Sequence, residues 1–533
     1  MAKPQQSQPA PAAPKPALRA APDRGEADVD DVPRRSEQSL GRALRDIVIF
    51  GVLLIAGLAL YYRHVQTSKQ VNHVAKLAKD LAEKDTPQDF LAAEKDLEKV
   101  LTLDSSNGYA LSTHAELDAL LWGQFGEADR RQSAEEYAKK ADANDAPIQE
   151  RFTADALIKL YSGDAAGAKA FLANVIKRGA HGAHLLDALG RAQRKLGELE
   201  TARENFKEAA KDWRTPRFNV DYAQLYFDMS DTLNALSYFE KALQSNPDHP
   251  GALIGRARAA IARGEKIKLA TDDLASLLGP RKGELSPALL AEALTARAEL
   301  KMFNRQWPDA TKDAREATAA DRDYAPAYEA LGLAQAHDKA GATKSLAAFD
   351  QAIKLDPYVA GFYYAAAKAL VAAGLADKGV AMMQRVDKTL PRDENYFLIY
   401  GDLLDRKGDQ AGALAQYEQA LKINAFSAPA WFAKGKLLQA QRKYPEAAKA
   451  YEAALGAQEN FPEVHQQMGY ILLDSKKVAD AAAEFEQSLE LFKMDGAPRE
   501  KLTSLRDSFE RSLKKAPRAL QKKFAADMKV ILH

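Results

Sequence analysis

No stretch of this 533-residue chain alternates apolar and polar residues as a half-buried strand requires. Ala, Leu, Glu, Lys, Gln and Arg dominate, and all of them favour helix. The pattern therefore predicts an all-α chain. One segment departs from this mixture of polar and apolar positions. Ile47 to Tyr62 carries no charge and lies between Asp46 and Arg63. As a helix this run is about 24 Å long, shorter than a bilayer core of about 30 Å. Ala43 and Leu44 extend it, Arg45 and Arg63 can reach the two surfaces, and Tyr61 and Tyr62 suit the interface. A cleaved signal peptide would not follow so long a leading segment. A buried core helix would not be apolar all round beside a charged helical domain. A single uncleaved transmembrane helix over residues 43–63 is the expected reading.

Residues 1–42 have a different character. Pro4, Pro9, Pro11, Pro14, Pro16, Pro22 and Pro33 are interspersed with Ala, Gln and charge, which predicts a disordered tail. Arg34, Arg35, Arg42 and Arg45 precede the apolar run, and Arg63, Lys69 and Lys76 follow it. This slight bias favours a cytoplasmic N-terminus and a large domain on the far side of the membrane.

The remainder of the chain repeats itself. Trp431-x-x-Lys434-Gly435-x-x-Leu438 is followed by Tyr444, Ala447, Tyr451, Ala454 and Leu455. Phe397-x-x-Tyr400-Gly401-x-x-Leu404 leads to Ala413, Tyr417, Ala420 and Leu421, and His465-x-x-Met468-Gly469-x-x-Leu472 leads to Ala481, Phe485, Ser488 and Leu489. Gly401, Gly435 and Gly469 are 34 residues apart. Earlier copies keep the second half best: Leu189-Gly190 with Ala202 and Phe206, Ala223 with Ala235, Phe239 and Pro247, and Leu331-Gly332 with Phe349 and Pro357. A further copy runs from Tyr363 and Ala367 to Met383 and Pro391.

This period and pattern resemble the tetratricopeptide repeat, a helix–turn–helix unit of 34 residues. The resemblance is strong over residues 182–247 and 324–489 and weak before 181. It implies a right-handed α-solenoid of roughly ten to twelve helix pairs. The expected division is a tail (1–42), a transmembrane helix (43–63), a degenerate repeat-like region (64–181) and two repeat blocks (182–280 and 284–490). Leu277 to Gly283 is expected to form a longer loop between the blocks, and residues 491–533 two basic helices starting near Arg499 and Arg518. Small residues at the glycine and alanine positions let paired helices approach, and the aromatic four residues after the alanine is expected to fill the space between neighbouring units.

Composition narrows the function. The formal net charge of +1 provides no global field to attract nucleic acid. The chain has no cysteine, which excludes disulfides, thiolate metal sites and a Cys nucleophile. No phosphate-binding loop, nucleophile elbow, zinc-protease motif or dinucleotide fingerprint occurs, so no enzyme, cofactor or metal site is expected. His181 and His184 have ligand spacing, but no carboxylate stands beside them in the sequence. Asp30-Asp31 and Asp272-Asp273 read as ordinary surface acids.

In the family that the chain resembles, the first helices of successive units line a groove that binds protein or peptide. By phase, the resemblance points to Tyr364 and Lys368, Leu398 and Asp402, Phe432 and Lys436, and Gln466 and Tyr470. The pairs Val220/Gln224, Leu398/Asp402 and Phe432/Lys436 do not match the Lys and Asn of chaperone-tail clamps. The expectation is a single-span, membrane-tethered scaffold of a bacterial inner membrane, with its repeats in the periplasm. It would bind protein or peptide partners and assist assembly of an envelope complex in secretion, motility or pilus formation. The competing expectation is a cytoplasm-facing regulator of an envelope-biosynthesis enzyme. The open edges of a repeat array also allow a homo-oligomer.

Overall fold

The computed structural model describes residues 36–144, 149–229, 231–337, 339–386, 390, 392–494, 497 and 499–532. Among them there are helices and no strands. The first helix, α1, runs from Ser36 to Ala82. Helix thus begins seven residues before the expected limit of the disordered tail, because no proline follows Pro33 and Ser36–Arg42 is free to join the helix. The rest of the tail, residues 1–35, lies outside the described residues. Helix α1 also does not stop at Arg63. Two compact units meet at Lys69/Gln70, within this helix.

In the first unit, the described part is Ser36–Lys69. Its apolar side chains from Leu44 to Tyr62 are exposed. Among the described residues, α1 is the one helix long and apolar enough to cross a membrane.

The second unit is a succession of helix pairs. Following the C-terminal part of α1 come α2 (Pro87–Leu103), α3 (Gly108–Gly123), α4 (Arg130–Ala143), α5 (Gln149–Tyr161), α6 (Ala165–Lys177), α7 (Ala183–Lys195) and α8 (Leu199–Ala209). They continue as α9 (Pro216–Asp228), α10 (Thr232–Ser245), α11 (Pro250–Arg263), α12 (Ile267–Leu278), α13 (Pro287–Phe303), α14 (Trp307–Ala320), α15 (Ala325–Gln335) and α16 (Lys339–Leu355). The repeats end with α17 (Ala360–Ala372), α18 (Ala376–Val386), α19 (Glu394–Lys407), α20 (Gln410–Ile423), α21 (Ala428–Ala440), α22 (Tyr444–Ala457), α23 (Pro462–Asp474) and α24 (Val478–Met494). Helices α25 (Arg499–Ser512) and α26 (Arg518–Leu532) follow. Each odd-numbered helix from α3 to α23 packs on its successor, and odd-numbered neighbours pack on one another from α3–α5 to α21–α23. This is an all-α solenoid. The connection after α12 spans residues 279–286 and contains a short 3-10 turn, Lys282–Glu284. Leu277 and Leu278 belong to α12 and not to the loop.

The repeat signature has a direct packing cause. A Cβ placed on Gly401, Gly435 or Gly469 would lie 2.5 Å from the ring of Tyr417, Tyr451 or Phe485. Each ring comes from the second helix of the same pair. The aromatic therefore first fills the space within its own pair, where the sequence reading had placed it between neighbours. In the last repeat it does both, since Phe485 also stacks on Phe509 of α25 at 4.3 Å. The alanines twelve residues after each glycine, Ala413, Ala447 and Ala481, have no exposed surface.

The turns inside the pairs share a second constraint. Gly374, Gly408, Arg442 and Lys476 all have positive φ, between 59° and 92°, at the 34-residue period. The left-handed conformation reverses the chain between paired helices and favours glycine, yet Arg442 and Lys476 adopt it.

Gly435→Ala should lower thermal stability by about 1–3 kcal/mol, because Tyr451 has no room to retreat in a packed pair. Gly456→Ala, where a Cβ meets nothing within 4 Å, should be neutral or stabilise by up to about 1 kcal/mol. Melting curves of the two variants against the parent chain test this contrast.

Candidate functional site

The eight residues selected by phase lie on α17, α19, α21 and α23, at the same two positions of each helix. Their environments differ. Tyr364 is half-buried and donates to Asp393 Oδ1 at 3.4 Å; burial and the Asp393 charge together raise its phenol pKa. Lys368, one turn later, is exposed. Leu398 packs into the core of the second half, and Asp402 accepts from Arg406 Nε at 2.9 Å. Phe432 leans on Phe461 at 5.0 Å and on Tyr451 at 6.0 Å, with the Lys436 ammonium 5.8 Å from its ring centroid. Gln466 is half-buried, and Tyr470 meets Phe485 and Phe509 edge-on at 5.1 and 6.5 Å. The result is a surface of aromatic bodies embedded in the repeat core, with the cations Lys368 and Lys436 reaching into solvent.

The same two positions in the first half are filled differently. Three residues before Gly190 stands Asp187, and one residue after it stands Arg191. Arg191 donates to Asp187 Oδ2 at 3.0 Å and to the Tyr161 hydroxyl at 2.7 Å, and pairs with Asp221 of α9 at 2.5 Å. Beside them, His184 Nδ1 lies 2.6 Å from Glu116 of α3. Arg217, buried at the start of α9, donates to Glu116 at 3.3 Å. The expectation that no carboxylate stands near His184 is thus corrected: folding brings one from 68 residues away. Burial disfavours the His184 charge, but Glu116 outweighs it and holds the imidazole pKa above its ordinary value. His181 instead bonds the Gly179 carbonyl at 2.7 Å, so the two histidines share no ligand.

The chain itself covers this charged face. Asp85, in the turn between α1 and α2, is fully buried with φ of 60°. Its carboxylate accepts from Arg217 Nη1 at 3.3 Å and from His249 Nε2 at 3.1 Å. His249 caps α11 by accepting the Ala252 N–H at Nδ1, which leaves the proton on Nε2 to face Asp85. On either side of Asp85, Asn246 donates to the Lys84 carbonyl at 2.9 Å, Arg214 pairs with Glu83 at 3.4 Å, and Gln88 donates to the Glu284 carbonyl. The turn thus occupies, in the first half, the face that carries the aromatic row in the second.

Two other buried charge clusters were not expected. Asp273 is buried and takes two hydrogen bonds from Arg256, at 2.7 and 2.9 Å, which corrects its reading as a surface acid. Its neighbour Asp272 is exposed, and Asp30-Asp31 lies outside the described residues. Glu94 of α2 and His114 and Asp118 of α3 bring three ligand-type atoms within 4.8 Å. Arg130 already donates to Glu94 at 3.0 Å and to Asp118 at 3.3 Å, while Ser133 and His114 occupy the other Asp118 oxygen at 2.6 and 3.0 Å. A metal would have to displace the arginine, so the donor set fits a charge-compensated cluster better than an ion. Burial and the neighbouring Asp118 push the Glu94 carboxyl up to about 8, so it holds a proton there.

A family model described as the tetratricopeptide repeat matches residues 220–266 and 432–495. The chain thus carries tetratricopeptide repeats. Curated proteins provide no match to it. Solved structures similar to this repeat protein include Cut9–Hcn1, a hetero-tetramer of the APC/C, at 15% identity and a TM-score of 0.38, covering 84% of this chain and 98% of that one. A human IFIT1 dimer with m7Gppp-AAAA is 15% identical with a TM-score of 0.44, covering 73% and 95%. MamA is 17% identical with a TM-score of 0.26, covering 30% and 94%. None of these scores carries an argument about function. Tetratricopeptide repeats suggest a scaffold for protein–protein interaction, and the fold is generally non-catalytic.

The repeat phase that selects Tyr364 and Lys368 also selects Asp187 and Arg191, so these two were within reach of the sequence. Asp85, Glu116 and Arg217 were not, because no spacing rule links them.

The Glu94 carboxyl gives a pH signature. Its folded pKa lies above the ordinary 4.5, so its contribution to stability is full below about pH 4.5 and lost as pH rises through about 8. Glu94→Gln should therefore gain on the parent chain by on the order of a few kcal/mol between those limits. Melting temperatures of both chains across this range should diverge as pH rises; parallel curves would show that Glu94 is ionised throughout.

Proposed function

We propose that this repeat protein is a membrane-tethered scaffold that holds a protein or peptide partner on the inner face of its second half, over α17 to α23. The observation that carries the reading is the contrast between the two halves. On α7 of the first half the inner residues Asp187 and Arg191 are consumed by internal ion pairs, and the chain's own Asp85 turn covers the charged face beside them. In the second half, Phe432 beside Lys436 and Tyr364 beside Lys368 combine apolar area with a reachable cation. Such a surface suits an extended peptide or an amphipathic helix that carries acidic groups. The exposed apolar stretch of α1 supports the tether, since an apolar helix with no protein packed on it needs lipid.

The bias of arginine before that stretch supports a cytoplasmic N-terminus, with the repeats beyond a bacterial inner membrane. A chain without cysteine is compatible with that oxidising space. The role that follows is assistance in assembling an envelope complex.

A photo-crosslinking residue at Lys436 of the full chain, in its native membrane, should trap a discrete partner. Lys368→Glu, at an exposed position of the same face, should reduce the yield several-fold without changing the melting curve. The same crosslinker at Leu233, exposed on α10, serves as the control. Equal capture from both positions would remove the groove from the reading. Fusing a periplasm-active and a cytoplasm-active reporter to the C-terminus tests the orientation; activity of the cytoplasmic one alone favours a regulator facing the cytoplasm.

A further inference from the structure

We propose that the outer face of α26 is a docking surface for an anionic lipid bilayer. Helix α26 uses one face completely: Phe524, Met528 and Ile531 are buried in a core shared with Phe485 of α24 and Phe509 of α25. Its opposite face is exposed and carries Arg518, Lys522, Lys523 and Lys529. Between these cations stand only Ala519, Ala526 and Val530, the last of them 76% exposed. No acid shares this face. Asp527, the one acid in the helix, is half-buried near Glu486 of α24, whose carboxyl pKa is raised by burial and by Asp527 and lowered by Lys523.

The preceding turn carries two more cations. Lys514 and Lys515 are exposed, and Gln521 donates to the Lys514 and Ala516 carbonyls at 3.0 and 2.7 Å. That clamp fixes the two lysines beside the first turn of α26. Lys514 also lines a groove of α25 with Glu500, Asp507 and Glu510, so the patch proper is the four cations of α26, within a chain whose formal net charge is only +1. A local field of this kind attracts a fixed anionic surface, while the chain as a whole has no field to gather nucleic acid. The small and apolar residues between the lysines let the helix approach the headgroups without a steric barrier. Its apolar face is already committed to the solenoid, so the contact is electrostatic and sensitive to salt. The choice of lipid over an acidic protein rests on the tether read from α1.

The absence of cysteine makes the test direct. Val530→Cys in the full chain receives an environment-sensitive fluorophore, and the labelled chain is reconstituted with phosphatidylcholine vesicles, with or without phosphatidylglycerol. The expected result is a blue shift with the anionic vesicles alone, reversed by high salt. The double change Lys522→Glu and Lys523→Glu should weaken the response at least about tenfold. The same reversal at the exposed Lys207 of α8 and Lys211 in the turn after it should leave it unchanged. Flotation with neutral vesicles reports the tether separately: a chain that floats but shows no anion-dependent shift overturns this proposal and spares the tether. A chain that fails to float overturns the tether. An equal shift in both lipids, or a shift only with an acidic protein or RNA, also overturns the lipid surface.

Discussion

The close approach of two helices at a small residue governs this molecule. Wherever Gly401, Gly435 or Gly469 faces the ring of Tyr417, Tyr451 or Phe485, there is no room for a methyl group. The aromatic fills the pair from inside, and the apolar residues left over seal it against the next pair. No unit can bury its apolar surface alone, so the array is stable only as a stack. Because helix packing is mostly between neighbouring units, the inner positions of each first helix are largely released from packing duty. Their side chains can then serve a partner or, as in the first half, the chain itself.

The first half spends that freedom on charge. Asp187, Arg191, Arg217, Glu116, His184 and Asp85 form one network of buried ions and hydrogen bonds across α3, α7, α9 and the turn after α1. Buried ion pairs add little net stability, because desolvation offsets most of the attraction. Breaking one leaves an uncompensated charge and is severe. Such a network therefore fixes geometry more than it adds stability. Here it pins the α1–α2 turn to α9 and α11, which seats the beginning of the repeat array in one position. The second half keeps apolar and aromatic groups at the same positions, with lysines at the rim. The two halves share a backbone plan and differ in what their inner faces are available for.

Legibility followed the range of the interaction. The 34-residue period exposed the helix pairs, because each is written within one unit, but not that the aromatic packs on the glycine of its own pair. The starts of α25 and α26 at Arg499 and Arg518 could be read for the same reason, from a proline and a break in the pattern. Position along a first helix could be read too, and it places Asp187 and Arg191 as readily as Tyr364 and Lys368. Whether such a residue is open or covered could not. Glu116 meets His184 across 68 residues, and Asp85 meets His249 across 164. Asp273 looked like a surface acid until Arg256 was seen to bind both of its oxygens.

By itself, then, the sequence determined an all-helical repeat chain with one long apolar helix near its beginning and no cysteine chemistry. These are local properties: residue type, helical spacing and a period set by the length of two helices and two turns. The tertiary structure alone decided which inner face remains available and which acids are buried. It also decided that Asp527 lies half-buried near Glu486 of α24. Each of these depends on which distant segment lands on a given helix, and the superposition of successive units sets that outcome, with no spacing rule along the chain to announce it.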